Sequence, residues 1–166
     1  YDILKVFITA KYKVHRTKGN REMILENEKI KQALEYIKEE DPATTQDTLN
    51  MCQIPAPSYK EEKKAEYIRE RFREIGLRDV RIDAVGNVLG IWPGTGEGPS
   101  VMLAAHTDTV FPEGTDLTIR KEGNRYYCPG INDDTHAVAE MIAVAKAMIH
   151  ADLHTKGDLI FCANVC

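Results

Sequence analysis

SVMLAAHTDT (100–109) decides how the rest of this sequence is read. Its first six residues are almost continuously apolar, the pattern of a β-strand buried on both faces. The chain then turns polar at His106-Thr107-Asp108-Thr109. In open α/β sheets the crevice at the carboxyl ends of the strands is where ligands bind, so a histidine placed there is available for chemistry. It can offer a neutral nitrogen to a metal, and Asp108, two residues on, lies on the same side of an extended chain. The aspartate can orient the imidazole through its other nitrogen, or bind metal itself. His-x-Asp is also the spacing of a surface pair that satisfies itself, and spacing alone leaves both readings open.

Working outward, residues 158–165 read as another buried strand, and residues 137–149 are apolar on nearly all sides, as in a helix enclosed between layers. Upstream, Val80 and Ile82 alternate with Arg81 and Asp83, Gly86-Asn87 marks a turn, and residues 88–92 read as a strand. PGTGEGP (93–99) is a loop. Nearer the N-terminus, Ile30, Ala33, Leu34 and Ile37 give residues 24–39 a helical period that Asp41-Pro42 should stop. A short helix is expected over 45–52, with a turn at Pro55 and Pro57. Ser58 followed by Glu61 has the spacing of a capping box. It opens a helix carrying Ala65, Ile68, Phe72 and Ile75 and closing at Gly76. Residues 117–127 have no clear period. Helices alternating with apolar strands predict an α/β protein, an α/β/α sandwich around a mixed sheet.

A second polar cluster, Asn132-Asp133-Asp134-Thr135-His136, stands where a glycine-containing loop enters the apolar helix. Acidic residues are favoured at a helix N-terminus whatever their function. Adjacent carboxylates beside so apolar a helix exceed what capping needs, and Asp133 could bridge two cations. His136 falls one position too far along, on the helix itself.

Composition narrows the classes. At 166 residues and 43% apolar, the chain suits one globular domain and can bury about 70% of its unfolded surface. The most apolar run, 137–149, is interrupted by Glu140 and Lys146 and falls short of the roughly 20 residues that span a bilayer. A net charge of −4 gives no electrostatic case for nucleic acid. Residues 1–22 carry a net +4, and Met23 precedes the first helical pattern, so this segment reads as a doubtful extension ahead of the domain at 23–166. The scattered Cys52, Cys128, Cys162 and Cys166 fit reduced thiols in the cytoplasm, and a zinc pair at Cys162 and Cys166 would need further ligands.

VMLAAHTDTVFP (101–112), followed by YYCPGINDD (126–134) and an apolar helix, resembles the M20 family of zinc-dependent peptidases and deacylases. PAPSYKEEKKAEYIRERFREIGL (55–77) and DAVGNVLGIWPG (83–94) are similar to the stretches that precede the metal motif there. The resemblance implies a zinc-peptidase-like fold, His106 as a ligand of one metal, and Asp133 as the carboxylate bridging two. It also implies that Asp108 orients the metal-bound histidine, that Asp134 lies just behind the ligands, and that the peptide bond between Asp133 and Asp134 is cis. Two zinc ions are implied, with cobalt or manganese as alternatives.

Many members carry Asp-Asp-Lys-Gly where this chain has Asp-Asp-Thr-His, which bears on substrate subclass. The family's Glu-Glu pair, general base and ligand, would follow Cys166, so a truncated catalytic domain is expected, without its lid or dimerisation domain and inactive alone. Glu140 lies too far along the helix to replace that base. The expected function of the full-length protein is hydrolysis of short peptides or N-acyl amino acids, in the cytoplasm, without nucleic-acid or membrane partners and compatible with a homodimer. A pseudoenzyme or interaction module on the same scaffold is the alternative.

Overall fold

The computed structural model describes residues 24–165; the basic segment 1–22 and Cys166, with the readings attached to them, lie outside the described residues. Helix α1 (Glu28–Glu39) is capped by Asn27, whose side chain accepts from the backbone N–H groups of Lys29 and Ile30. Pro42 does not merely stop this helix. It sits in the first turn of α2 (Asp41–Cys52), where a missing N–H costs nothing, so α2 starts four residues before the expected 45.

Helix α3 (Glu62–Glu74) turns Ala65, Ile68 and Phe72 inward and ends at Gly76, with φ of +91°. Its N-terminus corrects the capping-box reading: Glu61 precedes it without a side-chain cap, and the Ser58 hydroxyl is used elsewhere.

Strands β1 (Arg78–Ile82), β2 (Val88–Trp92), β3 (Val101–His106) and β6 (Leu159–Asn164) form a mixed sheet in the order β1-β2-β6-β3, parallel only between β3 and β6. Residues 117–127, without period in the sequence, contain a small hairpin, β4 (Arg120–Glu122) and β5 (Arg125–Tyr127), turning at Gly123. Helix α4 (His136–His150) precedes β6 and buries Val138, Ala139, Ile142 and Ala145 among other residues.

Register puts Val88, Gly90, Phe161, Ala163 and Ala105 on one face of the sheet. That face joins Ile68 and Phe72 of α3 and Val138 and Ile142 of α4 in one core. Each large side chain buried there contributes roughly 1.5–3 kcal/mol. Helices α1 and α2 lie on the far side of α4, where Ala33 meets Ala147 and Ala151, so α4 is enclosed between layers as expected.

The mixed α/β sheet is as the sequence predicts, but β3 is not buried on both faces. Among the described residues it pairs only with β6, and Val101 and Met102 are about half exposed. An apolar run reports what side chains prefer, whereas strand order decides what covers them. No helix among the described residues is long and apolar enough to cross a membrane.

The β1–β2 turn is organised by Asp83. Its Oδ1 accepts from the backbone N–H groups of Val85, Gly86 and Asn87, and its Oδ2 from the Asn87 side chain. Those bonds, the Asn87 side chain first, hold the Asp83 carboxyl below its usual range. A depressed folded-state value means the contribution is complete above the ordinary aspartate range near pH 4 and is lost as pH falls through the depressed value. Asp83→Asn is therefore expected to flatten the acid limb of the stability–pH curve. Urea unfolding at a series of pH values checks this, and parallel curves for variant and parent would refute it.

Candidate metal centre

The site is built where β3 ends. The β3–β6 ladder closes at His106 opposite Asn164, and one residue later Thr107 donates both its N–H (2.8 Å) and its Oγ1 (3.1 Å) to the Asn164 carbonyl. Thr107 is thereby held inward at 2% exposure, and alternation leaves His106 and Asp108 to share the other side.

The second half comes from the loop entering α4. Gly130 has φ of +76°, and a Cβ there would lie 2.5 Å from Thr109 Cγ2, so only glycine lets the loop pass so close to the end of β3. A wide turn, Ile131–Thr135, follows, in which Asp133 and Asp134 leave helical dihedrals. The Asp133–Asp134 peptide is cis, as the resemblance implies.

These pieces bring all four expected residues together. His106 Nε2 lies 3.0 Å from Asp133 Oδ1, and its Nδ1 lies 3.1 Å from Asp108 Oδ1 and 3.2 Å from the Asp108 carbonyl. Asp134 Oδ2 accepts the His106 backbone N–H at 3.2 Å. The Asp133 side chain is 83% exposed and the Asp108 side chain 12%, which separates a carboxylate open to a ligand from one that can only act on the imidazole. Burial alone would lower the His106 pKa, but hydrogen bonds to Asp133 and Asp108 outweigh it and raise it. Burial raises that of Asp134.

Two features escaped the sequence reading. Ser58 donates to Asp108 Oδ2 at 2.8 Å. Lys64, 2% exposed, sends its amine to Thr135 Oγ1 at 3.4 Å, and burial lowers its pKa. Glu61 three residues after Ser58 disguised the first as a cap. For the second, position 64 interrupts an apolar face with a charge, a signal usually assigned to solvent.

His136 stands on α4 away from this group, with Nε2 3.0 Å from Glu140, so both are engaged with each other. Burial and the adjacent Cys128 thiol push Cys52 up to about 12, and burial raises Cys162. Burial of this kind disfavours the thiolate. Among the described residues no group of three or more His, Cys, Asp or Glu side chains is arranged to hold an ion. Imidazole nitrogen and carboxylate oxygen are both good donors for zinc and related divalent ions, so His106 and Asp133 fit as two ligands of a larger set.

Comparison with known proteins points the same way. The model of peptidase family M28 matches residues 87–166, the half of the chain holding β3, the Asp133 turn, α4 and β6. A protein described as a LysW-lysine/LysW-ornithine hydrolase from Pyrococcus abyssi is 45% identical over 60 residues, 36% of this chain and 17% of that protein. Among solved structures, a tripeptidase from Staphylococcus aureus superposes with a TM-score of 0.63 at 23% identity, over 74% of this chain and 35% of its own. A dinuclear metal-binding peptidase of the M20 family from Bacillus subtilis gives 0.58 at 16% identity, over 78% and 36%. The chain thus has the M20-type peptidase fold, and its matches span about a third or less of these relatives' lengths.

Proposed function

We propose that residues 23–166 are the N-terminal part of the catalytic domain of an M20-type metallohydrolase that cleaves short peptides or N-acyl amino acids, with residues 1–22 an extension. The observation that carries this reading is the convergence of His106 Nε2 and Asp133 Oδ1, 3.0 Å apart at the carboxyl end of β3, with Asp108 behind the imidazole.

His106 Nε2 and the Asp133 carboxylate are the groups that would hold divalent ions, zinc first. When bound, such ions supply Lewis acidity toward the scissile carbonyl and activate water as nucleophile at neutral pH. The chain's own residues prepare for this. Asp108 lies against Nδ1 at 3.1 Å, so Nε2 is the imidazole nitrogen that would be turned to a metal in the crevice. Asp134 holds the backbone of His106, which fixes the imidazole's origin against the Asp133 turn. The remaining ligands and the general base would come from chain beyond residue 166, so these residues alone would be inactive.

The tripeptidase among the structural neighbours and the LysW-lysine hydrolase among the relatives support amide-bond cleavage, and we favour peptides over N-acyl amino acids. A cytoplasmic setting fits the free thiols Cys52, Cys128 and Cys162.

Metal analysis of the full-length protein, combined with hydrolysis of tripeptides and N-acetyl amino acids before and after chelation, tests the reading. Stoichiometric metal, tripeptide cleavage and loss of both on chelation with recovery on adding zinc are expected. A metal-loaded protein without hydrolysis of any substrate would instead establish the pseudoenzyme alternative, which Thr135 in place of the family's lysine favours.

A further inference from the structure

The loop between α2 and α3 is stitched to the segment that follows β3. Pro57 and Thr109 form an isolated parallel bridge, and the Thr109 N–H donates to the Ala56 carbonyl at 2.8 Å. That register sets Ser58 beside Asp108, and its hydroxyl donates to Asp108 Oδ2 at 2.8 Å. The other carboxylate oxygen, Oδ1, stays 3.1 Å from His106 Nδ1. Ser58, Asp108, His106 and Asp133 therefore form one continuous chain of polar contacts, from the α2–α3 loop to the open crevice.

We propose that Ser58 is a positioning residue for the His106–Asp108 pair: by occupying Asp108 Oδ2 it fixes the rotation of the carboxylate, which in turn holds the imidazole through Nδ1 and presents Nε2 to a divalent cation. This rests on the reading of His106 as a metal ligand.

Three observations carry the role. The terminal torsion of an aspartate is broad and two-fold, so a carboxylate held through one oxygen can turn, and a second bond removes that freedom. Asp108 is only 9% exposed, so water is poorly placed to replace the hydroxyl, and without Ser58 the Oδ2 atom is left underbonded. Among the described residues no other partner takes the hydroxyl. Helix α3 takes no side-chain cap, and the Glu61 carboxylate that could have reached back to Ser58 accepts instead from the Tyr59 N–H at 2.8 Å. Tyr59 itself adopts φ of +69°, a left-handed conformation rare outside glycine, and its ring is 82% exposed. The chain reverses there, directly after Ser58 has delivered its hydroxyl inward.

The test uses the full-length protein and its Ser58→Ala, Ser58→Thr and His106→Ala variants. Zinc affinity is read by competition with a chromogenic chelator, and the hold of Asp108 on His106 by the solvent-exchange rate of the Nδ1 proton in 1H–15N NMR. Ser58→Ala should weaken zinc binding about tenfold, the low end of the range for partners behind a metal ligand, and speed exchange of the His106 Nδ1 proton. Ser58→Thr, which keeps the hydroxyl, should restore both.

Exchange is compared at equal fraction folded, so a fall in stability cannot imitate the result. If His106→Ala loses zinc while Ser58→Ala keeps the parent exchange rate and affinity, the role of Ser58 is overturned and the metal centre stands. If His106→Ala binds zinc as the parent does, the metal-centre reading falls and this role with it.

Discussion

Alanine at His106 or at Asp133 is expected to abolish metal-dependent hydrolysis by the full-length protein while leaving its fold intact. Removing a partner that merely orients a ligand costs about 10–100-fold, so removing the ligand itself should exceed a hundredfold. The fold should survive because of where these side chains stand. His106 is 37% exposed and Asp133 83%, so neither fills the core and neither truncation opens a cavity. Circular dichroism and unfolding midpoint should therefore match the parent while zinc content and turnover are lost. Parent-like turnover in either variant would remove that residue from the site.

The second large effect concerns a position with no side chain at all. Gly157→Ala should destabilise the protein by about 3 kcal/mol or more, because the added Cβ would lie 2.0 Å from the Pro99 carbonyl oxygen. Neighbouring Gly94 is as tightly placed, with a Cβ 2.2 Å from the Gly157 oxygen. Backbone cannot yield there as a flexible side chain would. The two loops are locked by N–H donation from Thr95 to Thr155 and from Glu97 to Lys156, each 2.9 Å, and Gly94 donates to the Asp158 side chain at 2.9 Å.

This lock feeds β3 and β6 into their pairing, since Val101 donates to the Asp158 carbonyl immediately afterwards. Gly96→Ala is the control: its φ is +86°, but nothing lies within 4 Å, so only conformational strain is added, about 1 kcal/mol. A urea midpoint for Gly157→Ala no lower than that of Gly96→Ala would contradict the argument.

What the sequence made legible follows from which forces act locally. The α3 period and its Gly76 stop, the Gly86-Asn87 turn, strands β2 and β6, and the enclosed α4 all rest on short-range patterns and appear at or near the expected places. The site was legible in its donors, since His106 and Asp108 follow an apolar run and Asp133 and Asp134 precede an apolar helix.

Illegible were the relations between distant segments. Ser58 meets Asp108 from 50 residues away through a single bridge, and its spacing to Glu61 imitated a helix cap. The apolar run of β3 could not announce an edge position, because the same residues suit a central strand. Pro42 looked like a terminator because proline both ends one helix and begins another.

The pairing of β3 with β6 has a consequence for how the site is kept in alignment. His106 acquires its place from one ladder, Val101↔Leu159 to His106↔Asn164, with no second strand among the described residues to hold the other side. A slip of one residue along that ladder would carry the imidazole to the helix-covered face, away from Asp133. The ladder's last rung is also where a ligand shared by His106 and Asp133 would sit, and binding only the correct register would stabilise it by mass action. A cation held there would thus act as a clamp on strand alignment, favouring the register that brings His106 to Asp133 over a slipped one.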